Sequence, residues 1–299
     1  MRGAVKRGRE TLSLIRLGYG TLRERGVAPF AREASTFALS KVDEALLFNV
    51  PLYHDIRERY HTHKLAYEMD DHEAPLNPYK IEWVDPDEIT EFTRREVRPE
   101  KSCGIVEDGD WDRRDHFVYS EDYGKKYWHD RVRDGIYFED SLFYRAFEAH
   151  FERDVDWRDT EYFDAALEAF EMGEKISNGY TTEEELISDF DRTDELYHEI
   201  RTNGYKTRDE IEGELDFDGG PTTFEELKKS EIAVDIARDG KLLFASSGKH
   251  RLAIAKVLDL DTVPVVFICR HEEWLDHREY VYRNGLRVSH PDFSEFQGE

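Results

Sequence analysis

The sequence predicts a mixed α/β (α+β) protein, with a small mixed sheet near the C-terminus and a largely helical N-terminal and middle region. Residues 231–237 alternate apolar and polar side chains, which is the period of a half-buried strand. The Asp-Gly pair at 239–240 is typical of a tight hairpin turn, so that residues 241–245 return as a second strand. The apolar run 263–268 predicts a buried strand, and residues 251–260 have the apolar spacing of a helix.

The middle of the chain is predicted to be helical. Within residues 113–212, apolar side chains recur every three or four residues, as they do on core-facing helices. Thr182 and Glu185 form a capping-box pattern at the start of one such helix, and Gly204 is placed to end it. The predicted organisation is a basic amphipathic arm at 1–41, a mostly helical region with a short strand–turn insertion at 42–212, an α/β domain at 213–290 and a tail at 291–299, which we expect to be frayed.

The composition is strongly acidic. The 299 residues include 67 acidic and 42 basic side chains, which gives a net charge of −25. Such acidity resembles that of proteins from extreme halophiles, and it argues against nonspecific binding of duplex DNA. The two cysteines provide neither a disulfide framework nor the spacing of a metal site. Because no apolar run approaches the length of a membrane-spanning helix, we expect a cytoplasmic protein.

Residues 1–41 differ in charge from the rest of the chain. They contain nine basic and three acidic residues, and Arg2, Arg9, Arg16 and Arg23 recur every seven residues. On a helix these arginines would form one stripe. The arm has two interpretations. In the first, it contacts a membrane surface, a nucleic acid or an acidic protein; contact with a membrane would make this a peripheral membrane protein. In the second, it folds back onto the acidic body of the protein. We favour the second interpretation.

The start of the helix predicted near residue 250 has the features of an anion site. Small residues precede it, and three basic side chains follow in succession. The first amides of a helix have no intrahelical acceptors, and the helix dipole is positive at this end, which suits a phosphate. The predicted phosphate-binding residues are Ser247, Gly248, Lys249, His250 and Arg251.

Several polar residues near turns and strand ends are candidates for the same site. Arg270 and His271 follow the last strand and would add to the phosphate site if the two ends lie on one edge of the sheet; otherwise they neutralise acidic neighbours. Asp110 and Asp112 could hold Mg²⁺ beside a phosphate, or could simply form a surface turn. The candidate catalytic carboxylates, chosen because they lie near turns, are Asp110, Asp112, Glu231 and Asp239.

The run G-K-H-R-L-A-I-A-K at 248–256, with its preceding hairpin and the following P-V-V-F strand, resembles the ParB/sulfiredoxin-like superfamily, which includes the ParB-like nuclease domains. That superfamily has a G-x-[HR]-R-x-x-A run where its members bind nucleotide phosphates. The resemblance covers roughly residues 215–285 and implies a sheet of ParB/sulfiredoxin type. The segment around 80–90, an extended stretch followed by a proline turn, is similar to an element near the start of such domains and would complete the sheet.

The resemblance implies phosphoryl chemistry with ATP, ADP or CTP and Mg²⁺, because the superfamily includes CTP-hydrolysing, ATP-using and ADP-dependent members. At two positions the sequence departs from the pattern of this superfamily. Lys249 stands where sulfiredoxins have a reactive cysteine, which argues against sulfinic acid reduction. Ser247 stands where many members have an acidic residue, which weakens the case for metal-assisted catalysis. The sequence therefore leaves two functions open: a phosphotransferase or nucleotide hydrolase, and a non-enzymatic nucleotide-sensing or DNA- or membrane-associated interaction module.

Overall fold

A computed structural model describes residues 51–68, 72–95, 103–113, 137–173, 175–176, 179–207, 210 and 231–297. The predicted arm at 1–41 lies outside these residues. Among the helices described, none is long and apolar enough to cross a membrane.

The described chain forms a mixed sheet, as the sequence predicts, and this sheet has six strands. The strands follow the order β1-β6-β4-β5-β2, and β3 pairs with β6 beyond the end of β1. The long strand β6 runs parallel to β3 and β4 and antiparallel to β1. The strands are β1 (Ile81–Val84), β2 (Glu91–Phe92), β3 (Ile105–Glu107), β4 (Ile232–Ile236), β5 (Leu242–Phe244) and β6 (Val263–His271).

Half of these strands come from residues 81–107, far from the C-terminal unit in sequence. Ile81 pairs with Val266 and Val84 with Val263, so the predicted completion of the sheet by the segment near residue 80 is confirmed. The parallel pairing of Ile105 with Cys269 adds the segment that precedes the Gly109 turn. The sheet therefore extends beyond the α/β domain that was predicted to lie within 213–290.

Seven α-helices are described, and several begin at side-chain caps. The predicted N-cap is present, since the Thr182 hydroxyl accepts from the amide of Glu185. The reciprocal bond differs from a capping box by one residue, because the Glu185 carboxylate accepts from the amide of Thr181, which precedes the N-cap. Gly204 ends that helix, as predicted. The helices are α1 (Pro51–Glu68), α2 (Leu142–Arg153), α3 (Glu161–Glu171), α4 (Glu183–Asn203), α5 (Lys249–Val257), α6 (Glu272–Arg283) and α7 (Ser294–Gln297).

The sheet is covered on both faces. Ile232, Val234 and Ile236 belong to the main core with α2, α3, α4 and α5, whereas Ala233 belongs to a second core on the other face. Asp235 on that second face is fully buried and accepts two hydrogen bonds of 3.1 Å from Arg95. The prediction of a half-buried β4 is therefore wrong, because its polar-looking face is covered by the segment that carries Arg95.

Residues 291–297 are packed rather than frayed. Residues Pro291–Phe293 form a 3₁₀ turn that leads into α7, and Phe293 is only 1% exposed. The Asp292 carboxylate accepts hydrogen bonds from Arg270 at 2.6 Å and from Trp274 at 2.9 Å. The expectation of a frayed tail is wrong for residues 291–297, because distant partners supply the contacts that hold this short segment.

Candidate functional site

The turn before α5 depends on a glycine. Gly248 is the N-cap residue of α5, with φ at 82°, and it makes no side-chain capping hydrogen bond. A Cβ atom at this position would lie 2.7 Å from Cα of Ile232, which is closer than real Cβ contacts come. Both the left-handed backbone and the close approach to β4 therefore require glycine.

The loop is tied to the beginning of β4. The carbonyl of Ser247 accepts from the amide of Ala233 at 3.1 Å, and the Ser247 hydroxyl donates to the carbonyl of Glu231 at 2.8 Å. These bonds place the first turn of α5 beside the N-terminal end of β4, so that Glu231 lies next to it.

Arg251 forms a buried ion pair with Glu231. Its guanidinium donates to Oε2 of Glu231 at 2.9 Å, and the two side chains are only 4% and 1% exposed. The guanidinium carbon also lies 5.4 Å from the centre of the Tyr205 ring. Because a buried charge is stable only when it is paired, Glu231 fixes Arg251 at the third position of α5.

Lys249 lies against an aromatic ring of the helical region. Its ammonium nitrogen is 4.4 Å from the centre of the Phe143 ring on α2. Burial lowers the pKa of Lys249 to about 8, although the nearby carboxylate of Asp189 acts in the opposite direction. Near neutral pH the side chain is thus a cation that loses its proton more readily than an exposed lysine.

His250 is paired with Asp189 on α4. Its Nε2 atom lies 3.1 Å from Oδ2 of Asp189, while Oδ1 accepts from the Tyr180 hydroxyl at 2.9 Å and from Arg192 at 3.2 Å. Burial alone would raise the pKa of Asp189, but these donors, His250 first among them, hold it well below its usual range. Burial lowers the pKa of His250 despite its bond to Asp189.

The remaining predicted site residues lie at the opposite end of the sheet. Ile232, which touches Gly248, pairs with Val265, whereas Ile236 at the other end of β4 pairs with Arg270. Because β4 and β6 are parallel, Arg270 and His271 lie at the end of these strands that is opposite to the Gly248 loop. The prediction that they face the first turn of α5 is wrong.

Those two residues have structural partners where they lie. The Arg270 guanidinium is buried against Asp292, with its shortest bond at 2.6 Å. The ring of His271 caps α6, since Nδ1 accepts from the amide of Glu273 at 3.1 Å and Nε2 donates to the carbonyl of Gly109 at 2.7 Å. The alternative expectation, that they neutralise acidic neighbours, holds for Arg270, which pairs with Asp292, whereas the hydrogen bonds of His271 go to main-chain groups.

Three of the four candidate carboxylates also lie at the end of the sheet that is opposite to the Gly248 loop. Asp112 accepts from the side chain and the amide of Arg238 at 2.8–3.1 Å, and Asp110 accepts from the same guanidinium at 2.9 Å. Burial would raise the pKa of Asp112, but its bonds to Arg238 lower it. Asp239 accepts from the amide of Lys241 within the hairpin turn. Only Glu231 lies with the α5 loop.

Asp189 is the residue that the sequence interpretation missed. It comes from the helical middle region, which was assigned to packing. One signal was present, because Asp189 lies three residues after Leu186 and one before Phe190, both of which are buried. A carboxylate on the apolar face of a helix needs a buried partner.

No group of three or more histidine, cysteine, aspartate or glutamate side chains is placed to hold a metal ion within the described parts of the chain. Comparisons of this chain with protein-family models, with curated proteins and with solved structures find no match.

Proposed function

We propose that this protein binds the phosphate group of a nucleotide or a similar phosphorylated ligand at the first turn of α5. The observation that carries the proposal is the set of three successive basic residues, Lys249, His250 and Arg251, in the first turn of a helix that has no acidic residue there and no side-chain cap. Helix dipole, main-chain amides and side-chain donors all favour an anion at this point.

Other helices of this acidic protein begin differently. The helices α3, α4 and α6 each start at a capping side chain, and each has acidic residues in its first turn. Those carboxylates offset the positive end of the helix dipole. The first turn of α5 has no acidic residue of its own, and the carboxylates that pair with Arg251 and His250, those of Glu231 and Asp189, come from outside the helix. The helix dipole and the charge of Lys249 have the same sign, and both favour an anion.

Each residue of the loop has a distinct role in the proposal. Gly248 lets the backbone approach without an intervening side chain, and the amides that follow donate to phosphate oxygens. Lys249 supplies a nearby positive charge. The pair of Arg251 with Glu231 holds the guanidinium in place, and a guanidinium is well suited to charge-assisted bonds with phosphate.

Ligand binding is supported better than catalysis. Of the four candidate catalytic carboxylates, only Glu231 lies at this end of the sheet, and it is bound to Arg251. A phosphotransferase or nucleotide hydrolase is therefore a second step of the proposal, to be tested with ATP, ADP and CTP and with Mg²⁺ once binding is measured.

Calorimetric titration in high-potassium buffer tests the proposal. Lys249→Met and Arg251→Met should each weaken nucleotide binding by roughly tenfold to a hundredfold, since each removes a charged donor. Lys256→Met is the matched control, because Lys256 is the other lysine of α5 and pairs with Glu139 at 2.8 Å near the helix end. The proposal fails if no nucleotide binds, or if the control weakens binding as much.

A second candidate, the interaction module without catalysis, is supported by α1. Leu52, Ile56 and Tyr60 recur every four residues on one face and are 68%, 53% and 59% exposed, while His61 is buried. If this face binds a partner, Ile56→Asp should abolish the association without lowering nucleotide affinity. Light scattering would measure self-association and vesicle sedimentation would measure membrane binding, each with the full chain and with a chain that lacks residues 1–41.

A further inference from the structure

The helix α1 is attached to the rest of the protein by one side. The Asn77 side chain donates to Glu58 of α1 at 2.9 Å and accepts from the Thr62 hydroxyl at 3.2 Å. Tyr53 packs against the second core, on the face of the sheet that α5 does not cover. These contacts fix which side of α1 faces away from the sheet.

The side that faces away carries an exposed apolar ridge. Its residues Leu52, Ile56 and Tyr60 lie four positions apart, and Leu52 is more exposed than any other large apolar side chain in the described parts of the chain. Exposed apolar side chains of soluble proteins are usually scattered singly, whereas a contiguous apolar surface marks a site of interaction. Ridges formed by every fourth residue pack into the grooves of another helix, so a second helix is the shape that fits this one.

Two charges beside the ridge indicate which helix that is. Asp55 and Arg59 are exposed and form the row next to the ridge. Neither side chain forms an ion pair with another described residue, so both are available to a partner. Because the two charges cancel, the row lacks the excess of basic residues with which amphipathic helices bind anionic membranes.

The pattern of α1 is complementary to itself. A two-fold axis beside Ile56 that turns the second helix antiparallel brings Ile56 of the two copies together and places Leu52 of each copy against Tyr60 of the other. The charged row then lies on the same side in both copies. Arg59 of each copy faces Asp55 of the other, which gives two equivalent ion pairs across the axis.

We propose that the protein forms a two-fold symmetric dimer in which the outward side of α1 packs antiparallel against α1 of a second copy. This inference rests on the second candidate function, the interaction module, and names its partner; it does not depend on the phosphate site. Because one helix covers less than the roughly 800 Å² per partner of a standard interface, the dimer is weak and depends on concentration.

The salt dependence of the dimer has a definite sign. Each copy has a net charge of −25, so two copies repel each other in dilute salt. Concentrated potassium salt screens this repulsion and leaves the apolar contact intact, so association should strengthen as salt is added. Binding driven by opposite charges, such as that of the basic arm to nucleic acid, would weaken instead.

Sedimentation equilibrium of the full chain in high-potassium buffer tests the proposal. Ile56→Asp should weaken dimerisation at least about tenfold, because it places two carboxylates at the axis. Asp55→Arg and Arg59→Asp should each weaken it severalfold, since each creates two like-charge contacts. An equimolar mixture of these two variants should regain the affinity of the wild type, because opposite charges then meet at both contacts.

Asp191→Arg is the matched control, because it makes the same charge change at an exposed aspartate within α4. It should dimerise no more weakly than the wild type. A wild-type chain that stays monomeric at every concentration, or a mixture that associates no more tightly than either variant alone, would overturn the proposal. Regained association in the mixture also shows that both variants fold.

Disulfide cross-linking tests the antiparallel orientation, since the natural thiols of Cys103 and Cys269 are buried. Ile56→Cys should cross-link to itself on mild oxidation. Leu52→Cys and Tyr60→Cys should cross-link to each other and not to themselves. The two copies of Leu52 would lie about 12 Å apart along the helices, beyond the reach of about 7 Å of a disulfide. Self-linking of Leu52→Cys as fast as that of Ile56→Cys would refute the antiparallel dimer.

The dimer and the interaction module fail separately. If the wild-type chain is monomeric but sediments with anionic vesicles, and Ile56→Asp abolishes that binding, the face is an interaction surface and its partner is not a second copy. If the chain neither dimerises nor binds vesicles, the interaction module loses its support from α1 together with the dimer. Nucleotide titration tests the phosphate site independently of both results.

Discussion

Replacing Gly248 by alanine should destabilise the fold through two separable effects. The first is the left-handed backbone, with φ at 82°, where a Cβ atom costs about 1–2 kcal/mol. The second is the contact of the new Cβ with β4, at 2.7 Å from Cα and 2.9 Å from Cγ1 of Ile232. Because a backbone atom cannot move aside as a flexible side chain can, overpacking of this kind adds about 1–3 kcal/mol.

Gly285→Ala separates the two effects. Gly285 follows α6 with φ at 59°, and the bonds from its amide to the carbonyl of Tyr282 and from the amide of Leu286 to the carbonyl of Val281 are those of a left-handed helix end, but a Cβ atom there would meet nothing within 4 Å. We therefore expect Gly285→Ala to lose about 1–2 kcal/mol and Gly248→Ala roughly 2–5 kcal/mol of unfolding free energy. Denaturant titration of both variants in the same potassium buffer measures the difference. Equal losses would refute the close approach of the loop to β4 and, with it, the anchored geometry of the proposed phosphate site.

Three further predictions concern buried charges. Glu231→Gln leaves Arg251 without its carboxylate and should lower the free energy of unfolding by about 3–5 kcal/mol. The double variant Glu231→Gln/Arg251→Met should lose less, because it leaves no unpaired charge. Denaturant titration measures both losses, and a double variant less stable than the single one would contradict this. Because the pKa of Lys249 is about 8, nucleotide affinity should fall severalfold as the pH rises from about 7 to 9, and calorimetry should show no such fall in Lys249→Met. Burial would raise the pKa of Asp292, but the charge of Arg270 lowers it. The ionised carboxylate of Asp292 therefore stabilises the fold at neutral pH, and this contribution is lost as the pH falls below 3.8, the usual pKa of an aspartate. Asp292→Asn should therefore cost about 3–5 kcal/mol at pH 7, and a loss just as large near pH 3 would show that this ion pair is not the cause.

Features within a few residues of one another were predictable from the sequence. The hairpin of β4 and β5, the helix α5 and the strand β6 follow from local periodicity and from turn residues. The cap at Thr182 and the helix end at Gly204 are equally local, because the donors and acceptors involved lie within one turn of the chain. The glycine before α5 was predictable as a turn residue, although its contact with Ile232 was not.

Only the tertiary structure decided which strand ends lie next to one another in the sheet. The parallel pairing of β4 with β6 places Gly248 and Arg270 at opposite ends of the sheet, a relation that no local pattern contains. The same holds for the strands from residues 81–107, which need partners more than 150 positions away. Asp189 and Asp292 reach their partners, His250 and Arg270, only after helices and strands pack. Local patterns reflect interactions along the chain, whereas a site built from buried charges depends on side chains that folding alone brings together.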